Sequence, residues 1–215
     1  SLSYPPAIYE QALTVGATDS ADEIWISSSR GGVTVDGTGR LKPNVVAPGV
    51  HVRSSLPGGG YASWPGPSMA APHVAGAMAL LRQLRPTWSV EELKALVMNT
   101  ARLQMPDTGS EYSHVRAGSG NLNLTNTLNT DVIAYNGDDV GLVSLSFGRP
   151  AVLGSMASIK NLRLSNKGND DITYEVSYYS TVDTPGVRFS WEEETITVPA
   201  GANANLPVRL DATAS

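Results

Sequence analysis

A proline stands inside the longest apolar run of the chain and limits what that run can become. The segment "GPSMAAPHVAGAMALL" covers residues 66–81. Val74, Met78 and Leu81 recur at helical spacing, while Ala71, Ala75, Gly76, Ala77 and Ala79 keep the other faces small. Proline lacks an N–H and its ring clashes with the preceding turn, so a helix through Pro72 must begin within about four residues before it. This places Ser68 at or near the N-cap, where serine is favoured. Read by itself, a helix so poor in charge belongs in an enclosed, central position. The run is too short to span a bilayer.

The rest of residues 1–130 alternates strand and helix signals. Residues 12–19 ("ALTVGATD") and 43–52 ("PNVVAPGVHV") read as short buried strands bounded by Gly and Pro. Residues 27–43 read as a glycine-rich loop with one hairpin. Residues 89–101 ("SVEELKALVMNTA") read as a second helix, with Ser89 as N-cap, Glu92 completing a capping box, and Val90, Leu93, Leu96 and Val97 on one face. This alternation predicts an α/β domain with a mostly parallel sheet. From about residue 135 the pattern changes to short alternating segments separated by turns such as "NKGND". Residues 131–215 therefore predict an all-β antiparallel sandwich, with 126–139 as the linker.

Of the 215 residues, 41% are hydrophobic and 16% charged, enough for a packed core. The net charge of −5 comes without any Lys/Arg cluster, which argues against nucleic acid as a partner. The chain has no cysteine, which excludes disulfides, thiolate metal sites and a cysteine nucleophile. The opening "SLSYPPAIYEQ" has neither the basic nor the apolar region of a signal peptide.

A serine at the mouth of an apolar helix has two uses. It can cap the helix, or it can be a nucleophile whose own N–H, aided by the helix dipole, stabilises an oxyanion. Gly66 suits the second use, because a residue without Cβ lets a substrate backbone come close. The pattern around Ser68 is longer than a cap requires. "GPSMAAPHVAGAMALL" resembles the nucleophile motif of the subtilisin-like serine peptidases, Gly-Thr-Ser-Met-Ala-x-Pro-His-Val-Ala-Gly. Collinear support comes from "YPPAIYEQALTVGATDS", "SSRGG…GRLKPNVVAPGVHVRSS", "RPTWSVEELKALVMNTA" and "AGSGNLNLTNTL". The likeness covers nearly all of residues 4–130, and the β-rich tail resembles fibronectin-III-like modules. Pro67 departs from the family's Thr.

The resemblance implies Ser68 as nucleophile and peptides as substrates. It also implies a secreted or cell-surface, bacterial setting. The family's catalytic Asp, His and oxyanion Asn precede the serine in chain order, and their motifs are absent from this sequence. His73 lies in the motif's own helix, too far along to turn back to Ser68. His51 and His114 occupy positions the family does not use. The expectation is a C-terminal piece of a catalytic domain, inactive alone, which needs its N-terminal half as partner. Without that half, strand edges and one side of the Ser68 helix would be exposed, favouring self-association. The alternative is a non-catalytic scaffold or binding protein with a degenerate protease half and an adhesive sandwich. No cofactor is implied by the residues, and calcium enters by resemblance only. Asp19, Asp22, Asp36, Asp138 and Asp139 lack ion-binding spacing and read as loop acids. Tyr174, Tyr178 and Tyr179 read as core aromatics, with a carbohydrate platform as the other use. Asn123 in "NLT" is a formal glycosylation acceptor.

Overall fold

A computed structural model describes residues 3–103, 112–139, 141–148, 150–180 and 184–214. In the first part, β1 (Val15–Thr18) runs parallel to β4 (Val45–Pro48), with Ala17 opposite Ala47. Both strands are almost wholly buried, as parallel strands covered on their faces must be. The free edges of the pair are occupied. Ser28 Oγ accepts from the Ala17 N–H at 3.0 Å, and the Ala17 carbonyl accepts from Trp25 N–H at 2.9 Å. On the far side, Val46 bonds to Gly120 and Leu122, each at 2.9 Å. The predicted hairpin is β2 (Gly31–Gly32) against β3 (Leu41–Lys42), and a second hairpin pairs β5 (Val52–Ser55) with β6 (Tyr61–Trp64).

Two helices pack on this frame. α1 spans Pro67–Leu84 and buries Ala70, Val74, Ala77 and Leu81 against β1 and β4. The helix is not fully enclosed. Ala71, Pro72, Ala75, Gly76, Ala79 and Leu80 are exposed, because no described element covers that face. Pro72 sits in the second turn, where its missing N–H leaves the Ser68 carbonyl without an i+4 donor. α2 spans Val90–Asn99 and begins with the predicted capping box. Ser89 Oγ accepts from Glu92 N–H at 3.1 Å, and the Glu92 carboxylate accepts from Ser89 N–H at 2.8 Å. Ser89→Ala should cost about 1 kcal/mol in urea unfolding, since it removes the acceptor for an orphan first-turn donor.

Two short helices follow, α3 (His114–Ala117) and α4 (Leu124–Leu128), and then the β-rich part. β7 (Val132–Asn136), β8 (Ser155–Asn166), β10 (Val187–Ser190) and β12 (Asn203–Thr213) form one antiparallel sheet in the order β10-β12-β8-β7. β9 (Ile172–Glu175) pairs with β11 (Thr195–Val198) in a second. Leu164, Leu206, Ile196 and Val198 fill the space between the sheets. One expectation changes here. Residues 126–139, read as a linker, carry part of α4 and the edge strand β7, whose Ile133 is buried in the same core as α2. Residues 187–198 are divided between the two sheets, because the chain crosses at Trp191, leaving Glu192, Glu193 and Glu194 exposed. The two parts are also joined by charge. Arg85 pairs with Asp131 at 2.8 Å and Lys167 with Glu92 at 2.5 Å, with Trp88 beneath both cations.

One cation is enclosed. Lys42 is 2% exposed and donates to the Ala12 carbonyl at 2.7 Å and to Asn44 Oδ1 at 2.8 Å. Burial pushes its ammonium down to about 8, with Glu10 opposing the shift and Lys94 and Arg40 adding to it. The folded value lies below the unfolded value of about 10.4. Between the two, the unfolded chain binds more protons, so stability should rise with pH from about 8 to 10. The rise should be on the order of 2–3 kcal/mol by urea titration, and Lys42→Met should remove it.

Candidate active site

The N-terminus of α1 is held at the carboxyl ends of the two parallel strands, the edge where open α/β sheets place their ligands. Gly49, just past β4, donates to the Thr18 carbonyl at the end of β1 at 2.8 Å. Its own carbonyl accepts from Gly66 N–H at 2.6 Å. A Cβ on Gly49 would stand 2.7 Å from Ala17 Cβ, 2.8 Å from the Gly66 oxygen and 3.0 Å from Ala70 Cβ. Strand end, turn and helix thus meet around a residue that must be glycine. Sequence reasoning passed over Gly49, although its place after Ala47-Pro48 was the available signal.

Gly66, not Ser68, is the N-cap, with φ 136° and ψ 166°, and Pro67 takes the first helical position. Pro suits that position because its φ is already helical and its missing N–H would have been an orphan. At Gly66 the demand is backbone conformation, since a Cβ would meet nothing closer than Trp25 Cζ3 at 3.8 Å. Ser68 is therefore one residue inside the helix. Its side chain is exposed and makes no hydrogen bond among the described residues, and the helix has no side-chain cap. The Met69 and Ala70 N–H groups turn back to the Gly66 carbonyl at 2.9 and 3.3 Å. Pro67 has no N–H, so Ser68 offers the first free backbone donor of the helix, alongside its own hydroxyl.

The histidines lie elsewhere. His73 is exposed one turn along α1, its Nδ1 2.9 Å from the Met69 carbonyl. His51 is exposed in the turn between β4 and β5 at φ 56°. His114 opens α3, its Nδ1 2.9 Å from the Gly118 carbonyl. None bonds to Ser68 among the described residues. Gly66 and Ser68 are brought together, and among the described residues no histidine joins them.

The loop acids are engaged internally. Asp19 Oδ1 accepts from the Ala21 and Glu23 N–H groups, Asp22 joins Arg102 and Asn121, and Asp36 joins Thr38 and Arg40. Asp138 accepts from Asn161 and Asp139 lies 3.7 Å from Lys160. Hydrogen bonds from Thr38 and Asn161 hold the Asp36 and Asp138 carboxyls below the usual range. Asn123 caps α4, accepting from Asn126 N–H at 3.1 Å. β9 ends at Glu175, so strand alternation does not align Tyr174 with Tyr178, whose ring lies 5.0 Å from Phe189. Tyr179 is exposed.

Comparison with known proteins adds an independent line. The pattern of the subtilase family (Peptidase S8) matches residues 2–121. The chain is 35% identical over 140 residues to the minor extracellular protease Vpr of Bacillus subtilis (strain 168), covering 59% of this chain and 17% of that protein. It is 46% identical over 101 residues to subtilisin BL of Lederbergia lenta, covering 47% of this chain and 34% of the relative. Among solved structures it is similar to the prenylagaramide maturation protease PagA, with 25% identity and a TM-score of 0.49 over 58% of this chain and 44% of that one. The chain thus spans about a third or less of the length of these two sequence relatives. With the family pattern matched over more than half its residues, the stretch from β1 through α1 and α2 included, the chain belongs to the subtilase family.

Proposed function

We propose that this chain carries the nucleophile of a secreted serine endopeptidase, and that Ser68 forms the acyl-enzyme. The observation that carries the reading is an exposed, unbonded hydroxyl beside a free backbone N–H at the mouth of a helix. In the reaction, Ser68 Oγ attacks the scissile carbonyl and a C–O bond forms. The Ser68 N–H donates to the developing oxyanion. The Oγ proton passes to an imidazole and then to the leaving amine as the C–N bond breaks. Water completes the cycle by hydrolysing the ester. No cofactor enters these steps.

Ser68 lacks a neighbouring imidazole among the described residues, so the chain alone should not turn over peptides. The imidazole, its carboxylate and a second oxyanion donor would come from a subtilase N-terminal half, seated on the exposed Ala71, Ala75, Gly76 and Ala79 face of α1. Without that half, the same face favours self-association. The extracellular setting follows the name of the Bacillus subtilis relative.

The test is to co-express the chain with a family N-terminal half and treat the assembly with a fluorophosphonate. Covalent labelling at Ser68 supports the reading. An assembled complex that stays unlabelled favours the second reading, a non-catalytic scaffold. Pro67 favours that second reading, because it replaces a threonine whose hydroxyl could face the oxyanion.

A further inference from the structure

A second cluster of charge lies away from Ser68 and has no part in peptide hydrolysis. Arg40, Lys42 and Lys94 line a small cavity of about 30 Å³, together with Glu10, Ser144 and Ser146. Both lysines are almost wholly buried, at 2% and 7% exposure. Lys94, on α2, donates to the Gln11 carbonyl, while Lys42, on β3, donates to the neighbouring Ala12 carbonyl and to Asn44. An ammonium has three hydrogens. Lys42 therefore has one and Lys94 two beyond these bonds.

The carboxylates nearby are committed elsewhere or stand off. Glu10 lies 2.8 Å from Arg40 Nε, and Asp36 pairs with another nitrogen of the same guanidinium. Glu91 attracts Lys94 from outside the cavity lining. Among the described residues, neither ammonium has a carboxylate within ion-pair distance. Two ammonium groups thus share a small space with Glu10, whose carboxylate attracts both from a distance while it is bonded to Arg40. Buried charge without a counter-ion is costly, and a water molecule in the cavity would not cancel it.

We propose that this cavity is a halide site, occupied by one chloride ion between the Lys42 and Lys94 ammonium groups. The volume admits a monatomic ion or a water. The Ser144 and Ser146 hydroxyls can rotate to donate to an anion. The ion would tie the 141–146 segment to α2 and β3, and its effect would be on stability.

Thermal unfolding of the full chain at constant ionic strength tests this, with sodium chloride replacing sodium gluconate. The melting temperature should rise by roughly 3–5 °C per tenfold increase in chloride, as mass action requires. Bromide should act likewise, and Lys94→Met should lose the dependence. Chlorine NMR on the unaltered chain gives a readout that needs no variant. The chloride line should broaden with protein and narrow again on adding bromide. Equal melting temperatures in chloride and gluconate, a line that stays narrow, or an undiminished chloride dependence in Lys94→Met would each overturn the site.

Discussion

Ser68→Ala is expected to abolish fluorophosphonate labelling of the complemented protein and to lower peptide hydrolysis by about 10⁶-fold, the scale set when an acyl-transfer nucleophile is removed. The reason is local. Alanine keeps the backbone N–H at the helix mouth, so substrate and oxyanion contacts survive, but no oxygen remains to form the ester. Because the Ser68 side chain is exposed and makes no hydrogen bond among the described residues, the same change should leave urea unfolding within about 0.5 kcal/mol of the parent. This pairing of a lost reaction with unchanged stability separates nucleophile from cap. A capping serine would cost about 1 kcal/mol on removal and would take no label beforehand.

The second large effect is expected at Gly49. An added methyl would meet Ala17, the Gly66 carbonyl and Ala70 at once, and two of those contacts fall below 3.0 Å. None of the three is the tip of a flexible side chain, so β1 and α1 must separate. We expect Gly49→Ala to cost about 3 kcal/mol or more, at the upper end of overpacking penalties, measured by urea unfolding. The consequence for chemistry is distinct. Any fraction that folds carries α1 displaced from the strand ends, and it should label more slowly than its folded population predicts. Gly66→Ala makes the contrast. There a Cβ would make only ordinary contacts and the strain is confined to a positive-φ backbone, for a cost of roughly 1–3 kcal/mol.

What the sequence made legible was local. α2 follows from Ser89, Glu92 and the spacing of Leu93, Leu96 and Val97, all settled within one helix. β1 and β4 follow from short apolar runs closed by Gly and Pro. Ser68 was read as at or near the N-cap of α1, and the cap itself falls two residues earlier, where a φ of 136° suits Gly66 and Pro67 fits the first turn. β7 was missed since "VIAYN" follows a polar stretch, and its pairing depends on β8, whose partner residues are 26 to 34 positions away. Lys42 was invisible as a buried charge, because nothing near it in sequence announces that Glu10, Ala12 and Lys94 surround it. The exposed face of α1 was legible in part. Small residues mark a face meant for close contact, but the pattern does not say whether the contact is present.

The placement of Ile133 bears on where this chain can be divided. It belongs to a strand of the distal sheet, yet its side chain is packed with Leu93, Leu96 and Val97. Severing the polypeptide after residue 130 would carry Ile133 away with its sheet, leaving a groove along the second helix and an uncovered apolar side chain on the outer strand. Neither product would be a self-sufficient module, and heat should melt the two as a single cooperative unit.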